Sequence, residues 1–118
     1  MNSKQFDPKQ LGQSGENRAA AWYQSQGCRI VARNWRCRDG ELDLIIEDGN
    51  CVVFAEVKTR SSDRYGTPFE AVGWRKQQKL RLLARHWLAD NPTVRSRELR
   101  FDLVGIIGTR VEVRKSVF

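Results

Sequence analysis

At 118 residues the chain is sized for one hydrophobic core, and no run of about 18 apolar residues offers a membrane-spanning helix or a secretory leader. Lys and Arg outnumber Asp and Glu by 21 to 14, a formal charge of +7, which points to an anionic partner, above all nucleic acid. Three cysteines (Cys28, Cys37, Cys51) without CxxC spacing, beside a single histidine, His86, argue against a disulfide framework or a zinc site and read as reduced thiols of a cytoplasmic protein.

Residues 1–8 read as a flexible tail and 9–118 as a single domain. From Lys9 to about Gln26 the pattern is helical: Leu11, Ala19, Ala20, Trp22 and Tyr23 supply a buried stripe and Gly27 a stop. Glu16 shares that apolar face, four residues before Ala20. A first-turn acid favoured by the helix dipole is the plain explanation for it.

Residues Glu41 to Glu47 alternate as E-L-D-L-I-I-E and are followed by Asp48-Gly49, the signal of a two-residue hairpin. The return strand is Asn50 to Lys58. With Asp48-Gly49 as the whole loop, Glu47 pairs with Asn50, Asp43 with Phe54 and Glu41 with Glu56. Glu41, Asp43, Glu56 and Lys58 then share one face, which a one-residue slip would undo.

Thr67-Pro68-Phe69-Glu70 reads as an N-cap, a first-turn proline and a capping-box acid, opening a helix over about 68–89. Gly73 is a candidate interruption. Leu80, Leu83, Ala84, Trp87 and Leu88 form one apolar stripe, and the remaining faces carry lysine and arginine. Between Arg75 and Arg100 eight basic residues stand against two acidic ones. Strands follow at Glu98–Ile107 and, after Gly108-Thr109, at Arg110–Lys115. The order of helix, hairpin, helix, strand, strand predicts an α/β domain with a mixed sheet flanked by helices.

Carboxylates that converge at one end of a hairpin repel one another, and opposed like charges weaken a sheet. A divalent cation removes the conflict, since Mg²⁺ takes one or two carboxylates together with waters and phosphate oxygens. Asp43 and Glu56 are the candidate ligands, with the Val57 carbonyl as a further donor, and Lys58 stands on the same face to serve a water or a phosphate. The same residues on an exposed sheet edge would only discourage aggregation, and the E-x-K triplet by itself does not separate the two readings.

The chain resembles the bacterial YraN-type family, which itself resembles the PD-(D/E)xK nucleases near the archaeal Holliday junction resolvases. The resemblance rests on Gly12-Gln13-Ser14-Gly15-Glu16, Arg33-Asn34 and Gly40-Glu41-Leu42-Asp43-Leu44, then Phe54-Ala55-Glu56-Val57-Lys58-Thr59-Arg60, Gly66-Thr67-Pro68, Ala71-Val72, Lys76 and Arg100-Phe101-Asp102. It covers roughly residues 10 to 105. Leu42 stands where the superfamily's name would put proline. The resemblance implies a restriction-endonuclease-like core, Mg²⁺ or Mn²⁺ held by Asp43 and Glu56, Lys58 as the catalytic lysine and Glu16 as a supplementary acid from the first helix. The implied activity is hydrolysis of DNA phosphodiester bonds, on branched or structured DNA, with a homodimer left open. The alternative is a nucleic-acid-binding module that keeps the fold without turnover.

Candidate phosphate contacts are Arg36, Arg38, Arg60, Arg75, Lys76 and Lys79. Trp35 and Trp74 sit among arginines and are candidates to stack on an unpaired base, while Trp22 and Trp87 are core candidates. Gly15, Gly40 and Gly66 read as backbone accommodations, and Arg100 and Asp102 as strand residues that pair with neighbours.

Overall fold

The computed structural model describes residues 8–60, 73–94 and 97–118, without the side chains of residues 8–13. Helix α1 runs Pro8–Ser25 and is followed by strands β1 (Arg29–Cys37), β2 (Gly40–Asp48) and β3 (Cys51–Arg60). Helix α2 (Trp74–Asp90) and a short 3₁₀ turn at Pro92–Val94 lead into strands β4 (Glu98–Ile107) and β5 (Arg110–Arg114). The five strands form one sheet in chain order, β1-β2-β3-β4-β5. All neighbours are antiparallel except β3 and β4, which are parallel. A parallel pair needs a crossover, and α2 lies within it.

The sheet is mixed, as expected, and each face carries one helix. On one side Ala19, Ala20 and Tyr23 of α1 pack on Leu44, Ile46, Val53, Ala55, Val104 and Ile106. On the other, Leu80, Leu83, Ala84, Trp87 and Leu88 of α2 pack on Ile45, Val52, Phe54 and Phe101. The α2 stripe is the one read from its spacing. This five-stranded α/β arrangement is consistent with a restriction-endonuclease-like core. Among the described residues no helix is long and apolar enough to cross a membrane.

Three expectations need correction. First, Arg29–Cys37 forms an edge strand that the periodicity did not reveal. Its residues are exposed or half-buried, and a shift of register between Ile30 and Ala32 breaks the period of two. Second, the hairpin loop is Gly49-Asn50, with Asp48 paired to Cys51. Gly49 has φ +58 and Asn50 is not among the positive-φ residues, so glycine takes the first central position, as a II′ turn requires. The register therefore moves by two: Leu44 pairs with Ala55, and one further step sets Asp43 opposite Glu56 rather than Phe54. A shift of two leaves every paired side chain on its face, but the regular pairing stops at Leu44 and Leu42 packs on the opposite side of the sheet from Leu44, so Glu41 does not keep the face expected for it with Glu56 and Lys58. Third, Gly73 is extended at the N-cap of α2, so the helix does not run through it from Pro68. The Thr67-Pro68-Phe69-Glu70 signal and Gly66 lie outside the described residues, as does the tail apart from Pro8.

A buried polar network fastens α1 to the sheet. Asp102, 1% exposed, accepts hydrogen bonds from Tyr23 Oη (2.8 Å), Arg100 Nε (2.9 Å) and the Ser116 N–H (3.1 Å). Arg100 also donates to Asp48 at 2.9 Å. Burial and the Asp102 carboxylate push the Tyr23 phenol well above its ordinary range, so it donates to Asp102 as a neutral hydroxyl. Arg100 and Asp102 thus pair with each other and their surroundings, as the sequence suggested, and fix the helix that carries Glu16.

Candidate active site

Asp43 lies where two strands change faces. Leu44 belongs to the α1-side core and Leu42 to the α2-side core, although residues two apart on a regular strand share a side. Across on β1, Arg33 pairs with Leu44 and Trp35 with Leu42, so Asn34 stands opposite Asp43. Arg33 reaches Asn17 of α1, whereas Trp35 packs on the α2 side. Asn34 has φ +52, a left-handed conformation that asparagine tolerates better than most residues. The ladder between β2 and β3 gives way here as well: the Val57 N–H donates to Asp43 Oδ2 at 2.8 Å.

Glu56 follows Phe54 on the α2 side of β3 and is 7% exposed. Its Oε1 lies 3.7 Å from Lys58 Nζ and 3.3 Å from Lys76 Nζ of α2. Burial, first of all, pushes the Asp43 carboxyl up to about 7, and the Glu56 carboxylate adds to this. The Val57 N–H opposes the rise, while Glu16 and Glu41 contribute to it. Glu16 is also raised, chiefly by burial, against a hydrogen bond from the Asn34 side chain. Gly15 lets α1 come this close: a Cβ there would overlap Thr59 Oγ1 at the end of β3.

Asp43, Glu56, Glu16 and Lys58 therefore converge, with Glu41 and Lys76 beside them. The family model described as Uncharacterised protein family UPF0102 matches residues 15–106, from Gly15 through all of these side chains. The chain belongs to the UPF0102 family. A UPF0102 protein of Beutenbergia cavernae is 49% identical over 100 residues, covering 85% of this chain and 84% of that one. One of Frankia casuarinae is 51% identical over 94 residues, 80% and 79% of the two chains. A third, of a Nocardioides species, is 51% identical over 100 residues, 85% and 80%.

As a donor set, Asp43 and Glu56 are hard oxygens, of the kind that Mg²⁺ or Mn²⁺ takes in ones and twos. Their mutual repulsion and the burial of Asp43 are the conditions that a divalent cation relieves. The two residues fit such an ion. Among the described residues no group of three or more His, Cys, Asp or Glu side chains is placed to hold a metal, so Glu16 stands next to the pair rather than within a three-ligand cage.

The other predicted contacts are spread around this centre. Arg36 hydrogen-bonds Glu41 at 2.7 Å, beside an open depression of about 380 Å³ lined by residues 36–41. The Lys79 chain lies over Gly40 at the same turn. Arg38, Arg60 and Arg75 are exposed, and Arg60 also donates to the Thr59 carbonyl. His86 is paired with Asp39 at 2.8 Å and takes no part in the carboxylate cluster. Trp74 is 72% exposed and Trp87 buried, with Trp22 and Trp35 half-buried. Two features escaped the sequence reading: Asn34 as the partner of Glu16, and Lys76 on Glu56 itself. The asparagine within Arg33-Asn34 was the available signal for the first, and the second had none, because it depends on where α2 docks.

Proposed function

We propose that the protein is a metal-dependent endonuclease that hydrolyses DNA phosphodiester bonds, with branched or structured DNA as the substrate. The observation that carries this reading is the Asp43 carboxyl held near 7 by burial and by Glu56, in a cluster that also contains Lys58. Asp43 and Glu56 would hold Mg²⁺ or Mn²⁺, which when bound supplies Lewis-acid stabilisation of phosphoryl oxygens and a more acidic water.

The protein's own residues do the rest. The Val57 N–H fixes one oxygen of Asp43 and so aims the carboxylate. Lys58, on the same strand face as Glu56, orients the attacking water and stabilises charge that develops on the phosphate. The water gives up one proton as its oxygen bonds to phosphorus, the bond from phosphorus to the leaving oxygen breaks, and the leaving oxygen takes up a proton, so that one water is consumed for each bond cut. Glu16, its carboxyl raised by burial, is suited to hold and pass a proton at the edge of the cluster. Arg36, Arg38, Arg60, Arg75, Lys76 and Lys79 meet backbone phosphates, which positions the substrate without reading its sequence. Such a role goes with a cytoplasmic location, where the free thiols of Cys28, Cys37 and Cys51 stay reduced.

A second reading, a nucleic-acid-binding module without turnover, is favoured by the lack of a three-ligand group among the described residues. One experiment separates the two: purified protein with branched and linear DNA in Mg²⁺ or Mn²⁺, alongside Asp43→Ala and Lys58→Ala. The nuclease reading expects cleavage that falls by about 100-fold or more in each variant. Cleavage at the wild-type rate in both variants would refute the site, and salt-sensitive binding without any cleavage would leave the module.

A further inference from the structure

The lysine of the E-x-K pattern is not the cation nearest to Glu56. Lys76 Nζ lies 3.3 Å from Glu56 Oε1 and Lys58 Nζ 3.7 Å from the same atom, so two ammonium groups share one oxygen of a buried carboxylate. Lys76 comes from the first turn of α2, which contains no acid and where the positive end of the helix dipole disfavours a cation. Packing does not call for it either, since the buried residues of α2 begin at Leu80. Its side chain is 37% exposed, and a flexible four-carbon stem lets the ammonium swing between the carboxylate and the solvent side.

Charge balance suggests why it is there. Glu41 is paired with Arg36 and Glu16 has Arg33 and Asn34 beside it, so without metal the two candidate ligands, Asp43 and Glu56, are left to face two lysines, Lys58 and Lys76. A divalent cation on the same carboxylates leaves positive charge in surplus, which a phosphodiester and the charge it develops during displacement can absorb.

Resting on the two-carboxylate reading above, we propose that Lys76 is an exchangeable counter-cation. It neutralises Glu56 while the carboxylate holds no metal, and moves to a phosphate oxygen of the bound strand once Glu56 engages the divalent ion. Lys76 thus competes with the metal and cooperates with the nucleic acid. A lysine that only supported the helix would do neither.

The test uses the full chain and two equilibrium titrations that need no turnover. Mn²⁺ is titrated by calorimetry without DNA, and a labelled DNA duplex is titrated in Ca²⁺ at several salt concentrations. Lys76→Met is expected to bind Mn²⁺ about 2- to 5-fold more tightly, the range set by a half-exposed ion pair. It is also expected to bind the duplex more weakly, with the slope of log affinity against log salt shallower by about 1. Lys76→Arg keeps both quantities near wild type, and Lys58→Met, removing the longer pair, tightens Mn²⁺ less.

Mn²⁺ affinity that is unchanged or weaker in Lys76→Met, or a salt slope that does not move, overturns the exchange. If wild type still binds Mn²⁺ in a manner that Asp43→Ala abolishes, the two-carboxylate reading survives that result. Absence of Mn²⁺ binding to wild type removes both.

Discussion

Asp43→Asn isolates the conflict within the cluster. In the folded protein the Asp43 carboxyl titrates near 7, against 3.8 for an unperturbed group. Between those values the folded chain holds a proton that the unfolded chain has lost, so stability falls as pH rises, by about 1.4 kcal/mol per pH unit. The contribution is fully present below about pH 4 and gone above about pH 7. Across the window it amounts to at most about 4 kcal/mol, and roughly 2 to 4 kcal/mol for a half-buried side chain. That is a large share of a total stability of about 5–15 kcal/mol. Asparagine is isosteric and its carbonyl oxygen can keep the hydrogen bond from the Val57 N–H, but it does not ionise. Urea unfolding with chelator, from about pH 4 to pH 8, should give similar stabilities for the two proteins at the acid end. The variant should be more stable by roughly 2 to 4 kcal/mol at the alkaline end. Glu47 titrates alike in both proteins, so the difference reports Asp43 together with its coupling to Glu56, Glu16 and Glu41. Adding Mg²⁺ at pH 8 should then stabilise wild type more than the variant. A variant that is no more stable than wild type at pH 8, or a difference that does not change with pH, would refute the argument from burial and like charge.

Gly15→Ala places a Cβ on Thr59 Oγ1, with Thr59 Cβ and Cγ2 also at 3.2 and 3.3 Å. Rotating Thr59 does not clear it, so thermal unfolding should show a loss of about 1–3 kcal/mol that Thr59→Ala partly restores. Asp102→Ala leaves the Arg100 charge without its buried partner and should cost about 3–5 kcal/mol in urea unfolding, against about 1.5–3 kcal/mol for Tyr23→Phe, which removes one hydrogen bond to the carboxylate. Asn34→Val puts a β-branched residue at φ +52 and should cost about 1–2 kcal/mol. Asn34→Gly keeps the conformation and removes only the hydrogen bond to Glu16, so carboxyl NMR titration should show the Glu16 pKa rise further in that variant.

What was legible in the sequence followed from periodicity and turn chemistry. The α2 stripe could be read because a helix docked along one side repeats its apolar residues, and the bounds of β4 because its alternating apolar residues end at the Gly108-Thr109 turn, although the strand proves buried on both faces from Phe101 to Ile106. The convergence of the carboxylates was legible only in part: alternation predicts a common face for Asp43 and Glu56, whereas here β2 changes face at Asp43, which no period of two announces. The turn lies one position beyond the Asp48-Gly49 signal. Asp-Gly suits a loop with both central residues at positive φ, whereas here glycine leads and asparagine follows. β1 was hidden since an exposed edge strand with a register shift carries little alternation. Lys76 was identified as a phosphate contact but not as a partner of Glu56, for no local pattern records how far a helix slides along a sheet.

The change of face at Asn34 and Asp43 explains how carboxylates from both layers meet. On a regular strand, residue 43 would point wholly to one helix, and only α1 or only α2 could supply neighbours. With Leu42 in the α2-side core and Leu44 in the α1-side core, the residue between them sits at the crossing and is open to both. Glu16 reaches it from α1, Glu56 from the α2-facing side of β3, and their charges both act on its carboxyl. Neither core is broken to achieve this, because the apolar residues on either side still close over their own helix. A carboxylate at position 42 or 44 would instead lie in one core or the other, without a partner across the sheet and at several kcal/mol. The fold thus has one place on β2 where an acid can be half-buried, meet acids from two layers and remain within reach of Lys58 and Lys76, and the chain puts aspartate there.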